Sequence, residues 1–152
     1  MHPLSEAWTL WAHLPHNSDW SLESYVKIMT VTHVEELIAL IHALQDKIIS
    51  ECMLFLMKEN ITPLWEDPQN KPGGCFSYKV TQKIAEAWKN VAYSISGNTL
   101  TKDILFNKSI NGISISPKKN FCILKLWMRS CKYKDPSAIS ILKPDGCIFK
   151  AH

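Results

Sequence analysis

Short runs rich in large apolar and β-branched side chains recur along the chain and predict β-strands. The first, residues 7–12, contains Trp8 and Trp11, which we interpret as core residues rather than ligand contacts. Two of the later runs, 112–116 and 121–127, flank a tight turn at 117–120 and therefore predict a hairpin. The remaining predicted strands are residues 25–31, 52–57, 76–81 and 147–150.

Two longer segments carry apolar residues at intervals of three and four, the spacing of a helix with one buried face. The first begins with a capping box, in which the hydroxyl of Thr32 and the carboxylate of Glu35 bond each other's backbone amides, and runs to about Lys47. Its predicted core-facing stripe is Val34, Leu37, Ile38, Ile41, Leu44 and Ile48.

The second long helix is predicted over residues 82–96, with Gly97 as its stop. Its inner face is Ile84, Ala87, Trp88, Val91, Ala92 and Ile95. A third, short helix is predicted from Asp135-Pro136 to about Leu142, followed by a turn at Pro144-Asp145-Gly146 into the last strand.

Length and composition suit a single domain covering residues 1–152, because 46% of the residues are hydrophobic and 20% are charged. The first residues lack a basic start followed by an apolar run, and no stretch approaches the roughly 18 apolar residues of a membrane span. We therefore expect a soluble, cytoplasmic protein. The five cysteines are an odd number without a Cys-x-x-Cys pair, which predicts reduced thiols and neither a disulfide framework nor a metal site. No cofactor is expected.

Charge is divided between the two halves of the chain. Residues 1–76 carry 4 Lys and 10 Asp or Glu, for a net charge of −6, whereas residues 77–152 carry 12 Lys and 1 Arg against 4 Asp or Glu, for +9. The basic half is compatible with phosphate binding and equally with a solvated lysine-rich surface.

The segment 61–74 interrupts the strand pattern and carries the most specific chemistry. Prolines at positions 63, 68 and 72 fix φ, and glycines at 73 and 74 allow conformations closed to other residues, so a stiff loop is predicted. Within it, Trp65 and Glu66 are adjacent. An indole stacks on a nucleobase, and a carboxylate accepts two hydrogen bonds from the N1–H and N2–H₂ edge of guanine, which adenine lacks. The pair predicts a guanine-binding loop.

The same loop carries a family resemblance. The run Pro63-Leu64-Trp65-Glu66-Asp67, with Asn70 and Gly73-Gly74, resembles the signature loop of the translation initiation factor 4E family, which binds the 7-methylguanosine cap of eukaryotic messenger RNA. Further matching pieces, in order, are His2-Pro3-Leu4 with Trp8 and Trp11, the helix start Val34-Glu35-Glu36, and Trp127.

The resemblance implies an α+β fold: one curved, mostly antiparallel sheet, with two long helices and one short helix on its convex face and a cap slot on its concave face. It implies a monomer whose partner is capped messenger RNA. The implied roles are base stacking by Trp20 and Trp65, reading of the guanine edge by Glu66, a wall beside the methyl group by Trp127, and phosphate binding by Lys118 and Lys119.

Other family positions have changed. The family docks a helix of a scaffold protein on a surface whose counterparts here are His2, Pro3, Leu4, Val34, Ile38 and Tyr93. Ile38 replaces a docking tryptophan, and Lys89, Asn90 and Tyr93 replace Leu, Glu and Leu, so we expect ordinary scaffold peptides to bind poorly. After the two glycines, Cys75-Phe76 replaces an Arg-Trp pair, so one cationic side chain is lost. Among the phosphate-binding positions, Asn120 and Ile123 occupy two that are basic in the family.

Two other classes of function stay open from the sequence. A nucleotide hydrolase or cap-modifying enzyme would need a phosphate-binding Gly-x-x-x-x-Gly-Lys loop, an acidic Mg²⁺ site or a Cys-His dyad, and none is visible, so we predict a protein that is not an enzyme. A decoy or translational repressor acting mainly through protein contacts is the second alternative. The many Ile, Lys and Asn residues and the altered partner surface are typical of a divergent copy, such as one encoded by a virus or a parasite.

Overall fold

A computed structural model describes residues 1–142 and 146–152, and within them seven strands form one antiparallel sheet. The spatial order is β2-β1-β3-β5-β6-β4-β7. The strands are β1 (Pro3–His13), β2 (Tyr25–His33), β3 (Met53–Lys58), β4 (Gly74–Val80), β5 (Ile110–Pro117), β6 (Cys122–Met128) and β7 (Ile148–Ala151). All seven predicted strands are therefore present, with ends shifted by a few residues. The predicted turn at Pro144-Asp145 lies outside the described residues.

The alternation of side chains along each strand separates the sheet into two faces. Leu10, Leu56 and Phe76 are fully buried in the main core between the sheet and the helices. Phe55 and Trp127, displaced by an odd number of positions from core residues on their own strands, belong to a second, smaller cluster on the opposite face. The α+β architecture with helices on one face of a single curved sheet is confirmed, and the second face is the concave one.

Trp8 and Trp11 show the consequence of this alternation. They are three residues apart on β1, so they point to opposite faces: Trp8 is 1% exposed in the main core, whereas Trp11 is half-buried against the concave cluster. The interpretation of both as packing residues holds, but they pack in different clusters.

The helices are α1 (Val34–Ala43), α2 (Asp46–Glu51), α3 (Ile84–Ser96) and α4 (Ile104–Lys108). The prediction of one helix from Thr32 to Lys47 is wrong, because Leu44 takes an extended conformation (φ −72°, ψ 116°) that ends α1. The apolar spacing continues across the break, yet α2 buries Ile49 and leaves Ile48 39% exposed. Ile38, also assigned to the core stripe, is 48% exposed.

The start of α1 is shifted by one residue from the prediction. Strand β2 continues to His33, which pairs with Pro3, so His33 rather than Thr32 precedes the helix. The capping box is formed by His33 and Glu36, whose carboxylate accepts from the His33 backbone N–H at 3.1 Å. The predicted Thr32–Glu35 box is therefore wrong, and Glu35 is left to bond another segment.

The remaining helical elements are short. The predicted helix from Asp135 to Leu142 is wrong in length, since only a three-residue 3₁₀ turn, Pro136–Ala138, forms; Asp135 does cap it by accepting from the Ser137 N–H at 2.9 Å. Helix α4 was not anticipated from the sequence. Across residues 1–142 and 146–152, every helix is too short or too polar to span a bilayer.

Two adjacent glycines at the start of β4 allow strands to approach closely. A methyl group on Gly73 would overlap the Met128 carbonyl of β6, and one on Gly74 would overlap the Lys150 carbonyl of β7. Because backbone atoms cannot move aside as a flexible side chain can, these positions require glycine. They fix where the loop 61–74 joins the sheet.

Candidate functional site

A cavity of about 480 Å³ opens on the concave face of the sheet. It brings together five of the six residues proposed from the sequence for the cap site, which are Trp20, Trp65, Glu66, Lys118 and Trp127. The sixth, Lys119, lines an adjacent groove together with Trp20 and Lys118. Residues distant in sequence thus meet at one place, with Trp20 and Trp65 each about half exposed (53% and 51%).

The loop that presents Trp65 and Glu66 is organised by the Asp67 carboxylate. One oxygen accepts from the Thr62 N–H at 2.8 Å and the Thr62 hydroxyl at 2.7 Å, and the other accepts from the Gln69 N–H at 2.8 Å. These bonds connect the two sides of the loop around the exposed residues Trp65 and Glu66. The Asp67 carboxylate therefore stabilises the loop backbone and is not free to bind a ligand.

A buried amide completes this scaffold. Asn70 is fully buried, and its Nδ2 donates to the carbonyls of Thr62 (3.0 Å) and Leu64 (2.8 Å), on either side of Pro63. Its Oδ1 accepts from Nδ2 of Asn111 on β5 at 2.9 Å. The loop is thereby tied to the sheet, and Trp65 follows a segment whose carbonyls are held by an Asn70 side chain that is paired at both its nitrogen and its oxygen.

Trp20 is held in place by stacking on a buried histidine. Its ring stacks on the imidazole of His13, with ring centroids 3.9 Å apart and planes within 4°. His13 is 1% exposed, and its Nε2 lies 2.7 Å from the carbonyl oxygen of Asp19, which can only accept, so Nε2 carries the proton. A backbone hydrogen bond from Ser21 lowers the pKa of Asp19 and fixes the same turn. One face of the indole is therefore covered by protein.

Aromatic rings continue around the cavity wall. Tyr25 lies 6.5 Å from Trp20 and 5.4 Å from Phe55, and Phe55 lies 6.4 Å from Trp127, all between ring centroids and all edge-to-face. Burial raises the pKa of Tyr25, and the negative charge of Glu66 raises it further. Tyr25 and Glu66 both line the cavity, and Tyr25 is a wall residue that the sequence did not reveal.

Trp127 has a fixed orientation at the end of β6. It is 8% exposed, and its indole N–H donates to the Ser114 hydroxyl on β5 at 3.0 Å. Little of the ring surface is therefore exposed to the cavity. This is the geometry of a rigid wall rather than of a stacking surface.

Two lysines line the cavity. Lys118 lies in the β5–β6 turn, where its backbone N–H donates to the Phe121 carbonyl at 2.7 Å, and Lys125 points from the middle of β6. Burial raises the pKa of the Cys75 thiol to about 12, and the charge of Lys125 opposes that rise. Lys125 was missed from the sequence, although a signal existed: it precedes Trp127 by two positions and so shares its face.

The proposed partner residues lie on the helix side of the molecule. The backbone N–H and Nδ1 of His2 bond the Glu35 carboxylate, the latter at 2.6 Å, and the His2 carbonyl accepts from the Val34 N–H at 2.8 Å. Hydrogen bonds from His2 lower the pKa of Glu35 to about 2. This joins the first strand to α1, and Ile38 (48% exposed) and Tyr93 (37% exposed) present apolar surface from α1 and α3. Lys89, next to Tyr93 in the expected surface, lies 3.7 Å from Asp46.

The described ranges contain no cluster of three or more His, Cys, Asp or Glu side chains suited to a metal ion.

The family model for Eukaryotic initiation factor 4E matches residues 3–143 of the chain. Initiation factor 4E-2 of Schizosaccharomyces pombe is 30% identical over 158 aligned residues, which cover 98% of this chain and 60% of the yeast protein. The chain thus spans less than two thirds of that relative. An initiation factor 4E homolog of Acanthamoeba polyphaga mimivirus is 45% identical over 62 residues, which cover 40% of this chain and 23% of the viral protein.

Solved structures share the fold. Ascaris suum eIF4E-3, in complex with the m7G cap, superimposes with a TM-score of 0.84 at 21% identity, covering 99% of this chain and 91% of the other. Caenorhabditis elegans eIF4E-3, in complex with the 4E-binding protein Mextli, gives 0.82 at 20% identity, with 99% and 93% covered. These structures show that the fold is shared. Because the family model matches nearly the whole sequence, the chain belongs to the eukaryotic initiation factor 4E family.

Proposed function

We propose that this protein binds the 7-methylguanosine cap of messenger RNA in the concave cavity, as a single monomeric domain of residues 1–152, and that it acts in translation initiation. The observation that carries the proposal is the meeting of Trp20, Trp65 and Glu66 at one 480 Å³ cavity. Family membership supports it, because the initiation factor 4E family consists of cap-binding proteins rather than enzymes. Cap-bound structures of relatives give further support.

The base is proposed to stack between Trp20 and Trp65. His13 covers one face of Trp20, which leaves the second face for a ligand. The Asp67 and Asn70 network holds the loop that brings Trp65 to the same cavity. Methylation at N7 gives the guanine ring a positive charge, which indole faces attract by cation–π interactions of about 1 kcal/mol or more each. An unmethylated guanine is uncharged and would lose this cation–π attraction.

Glu66 is proposed to accept from the guanine N1–H and N2–H₂ groups and to balance the positive ring. Trp127, fixed by Ser114, would wall the methyl group. The phosphates are assigned to Lys118 and Lys125, with Lys119 at the margin of the cavity. Lys125 thereby supplies the charge that the replacement of the family arginine by Cys75 removes.

A protein partner is also proposed. Relatives have been solved with 4E-binding proteins. The docking surface that we propose for this chain comprises His2, Pro3, Leu4, Val34, Ile38 and Tyr93. The hydrogen bonds from His2 to the Glu35 carboxylate connect the start of the chain to α1 at this surface. Exposed Ile38 and Tyr93 offer less aromatic anchoring than a tryptophan would.

The test is a titration of the purified protein with 7-methyl-GTP and with GTP, followed by tryptophan fluorescence. We expect tight saturable binding of the methylated nucleotide only, and recovery of the nucleotide intact. Trp65→Ala should abolish binding, whereas Trp65→Phe, which keeps a stacking face, should retain part of it. Glu66→Gln should weaken binding by about 2 kcal/mol, roughly 30-fold, since it loses one charge-assisted bidentate contact.

Glu59→Gln is the matched control, because Glu59 is exposed and lies just before the loop, and it should bind as the wild type does. Equal affinity for GTP and 7-methyl-GTP would refute the proposal, and unchanged binding by Trp65→Ala would remove that residue from the site.

A further inference from the structure

A second cavity of about 380 Å³ adjoins the first and shares three of its walls, Trp65, Lys125 and Trp127. Its other lining residues belong to strands β4 and β7 and the position after β7, and they include Cys75, Ser77, Lys150 and His152. The concave groove therefore does not stop at the base slot. It continues across β6 and β4 to the sheet edge at β7.

Strand register shows which side chains face this extension. Lys150 pairs with Cys75, which pairs with Trp127, and Ser77 pairs with Lys125. Lys79 pairs with Ile123 and follows Cys75 by four positions, so it lies on the same face. Lys79, Lys125 and Lys150 thus project from one surface formed by three adjacent strands.

Lysine is the only residue with a charged side chain in the three strands that form this surface. Strands β4, β6 and β7 contain no Asp or Glu, and within the described residues none of these three lysines forms an ion pair. The positive field acts on its neighbours: Lys125 lowers the pKa of His152 in addition to the larger effect of burial. A lysine-rich surface that only serves solubility usually alternates with carboxylates, and this one does not.

Aromatic rings border the same extension. The imidazole of His152 lies 5.5 Å from the Trp127 ring and 6.5 Å from the Trp65 ring, and the His152 N–H donates to the Gly73 carbonyl at 3.0 Å. Lys79 lies over the ring of Phe121, 4.4 Å from its centroid. A cationic groove edged by aromatic rings is the usual arrangement for single-stranded nucleic acid.

We propose that this extension, lined by Lys125, Lys150 and His152, with Lys79 on the same face of β4, and continuous with the base slot, holds the single-stranded RNA that follows the cap. The lysines contact backbone phosphates and the Trp65–His152 wall lies beside a base. The inference rests on the proposed function, because the shared wall gives the track its starting point at the cap. RNA is favoured over an acidic protein segment by the aromatic border and by this continuity.

The experiment compares 7-methyl-GTP with a capped single-stranded oligoribonucleotide at several salt concentrations. The wild type should bind the capped RNA more tightly, with a steeper salt dependence. Lys79→Ala/Lys150→Ala should keep its affinity for 7-methyl-GTP but lose about tenfold for capped RNA at low salt. Its salt slope should fall by about 1.4, because each phosphate contact on a single strand contributes about 0.7. Lys125 is left intact, since it also lines the base slot.

The matched control is Lys47→Ala/Lys102→Ala, which removes two exposed lysines outside these strands. It should bind capped RNA more tightly than 7-methyl-GTP to the same extent as the wild type. The inference is overturned if the wild type binds capped RNA no more tightly than 7-methyl-GTP. It is also overturned if Lys79→Ala/Lys150→Ala keeps the higher affinity for capped RNA, or if an acidic peptide competes as well as RNA does. If the double variant folds poorly, the salt dependence of wild-type affinity still tests the inference, because capped RNA should give a steeper slope than 7-methyl-GTP. Failure of 7-methyl-GTP itself to bind would instead refute the proposed function.

Discussion

Asn70 offers a test of how the loop holds Trp65 without touching any ligand. Its side chain is fully buried and makes three hydrogen bonds, two donated to the carbonyls of Thr62 and Leu64 and one accepted from Asn111. Asn70→Ala removes all three. It leaves two carbonyl oxygens without their donor, while Nδ2 of Asn111 keeps its bond to the Gln69 carbonyl at 2.8 Å.

Each such bond contributes about 0.5–1.5 kcal/mol net, so the loss should be about 2–4 kcal/mol. For a chain of this length that corresponds to a fall in melting temperature of about 2–4 °C per kcal/mol. The freed segment 62–64 leads directly into Trp65, so ligand binding must then order it. We expect affinity for 7-methyl-GTP to fall at least tenfold, about 1.4 kcal/mol.

The assay is urea unfolding together with nucleotide titration of the same samples. Asn120→Ala, at an exposed position in the β5–β6 turn, is the matched control and should change neither quantity. Asn70→Asp provides a pH test. Its carboxylate would face two carbonyls, so its pKa should rise in the folded state, and the variant should regain stability as pH falls and the group is protonated. Asn70→Ala within 0.5 kcal/mol of wild type, with unchanged affinity, would refute the role of this network.

Two further predictions concern Glu35 on α1 and the proposed partner surface. The pKa of Glu35 is lowered to about 2 by its bonds from His2, so the stabilisation from that carboxylate should be complete above its ordinary pKa of 4.5 and disappear as pH falls from 4.5 towards 2. The difference in melting temperature between wild type and Glu35→Gln should shrink over this window; a constant difference would contradict it. At the partner surface, a Tyr-x-x-x-x-Leu peptide should show no saturable binding at micromolar concentration, and Ile38→Trp should restore binding only in part, since Tyr93 also differs. Tight binding by the unmodified protein would refute this expectation.

The strands were predictable because alternation is a local signal, whereas the helix boundaries were not. The apolar spacing of α1 runs on through Leu44 to Ile48, and no Gly or Pro marks the break, although the buried residue of α2 is Ile49. The capping box moved by one residue because the pairing of His33 with Pro3 extends β2, and that pairing joins residues 30 positions apart. The start of α1 was therefore set by a long-range strand pairing that local sequence does not reveal.

The site residues likewise fall into those that local sequence reveals and those that only the folded sheet brings together. Trp65 and Glu66 were visible because loop chemistry is local, and Lys125 could have been found by counting two positions back from Trp127. Tyr25 and His152 could not, since their place in the site depends on how β2 and β7 lie in the sheet. Asn111 is similar: its role exists only because β5 passes beneath the loop.

The division of charge along the sequence acquires a physical meaning at the cavity. Glu66 comes from the acidic half, and Lys118 and Lys125 come from the basic half, so the two halves meet across one slot. The proposed ligand has the opposite arrangement, a positive methylated base joined to negative phosphates. A carboxylate at one end and lysines at the other attract both parts in one orientation and repel them in the reverse one. The polarity of the cap would then be set by the field before any hydrogen bond forms, and the same field would direct the RNA that follows towards β4 and β7.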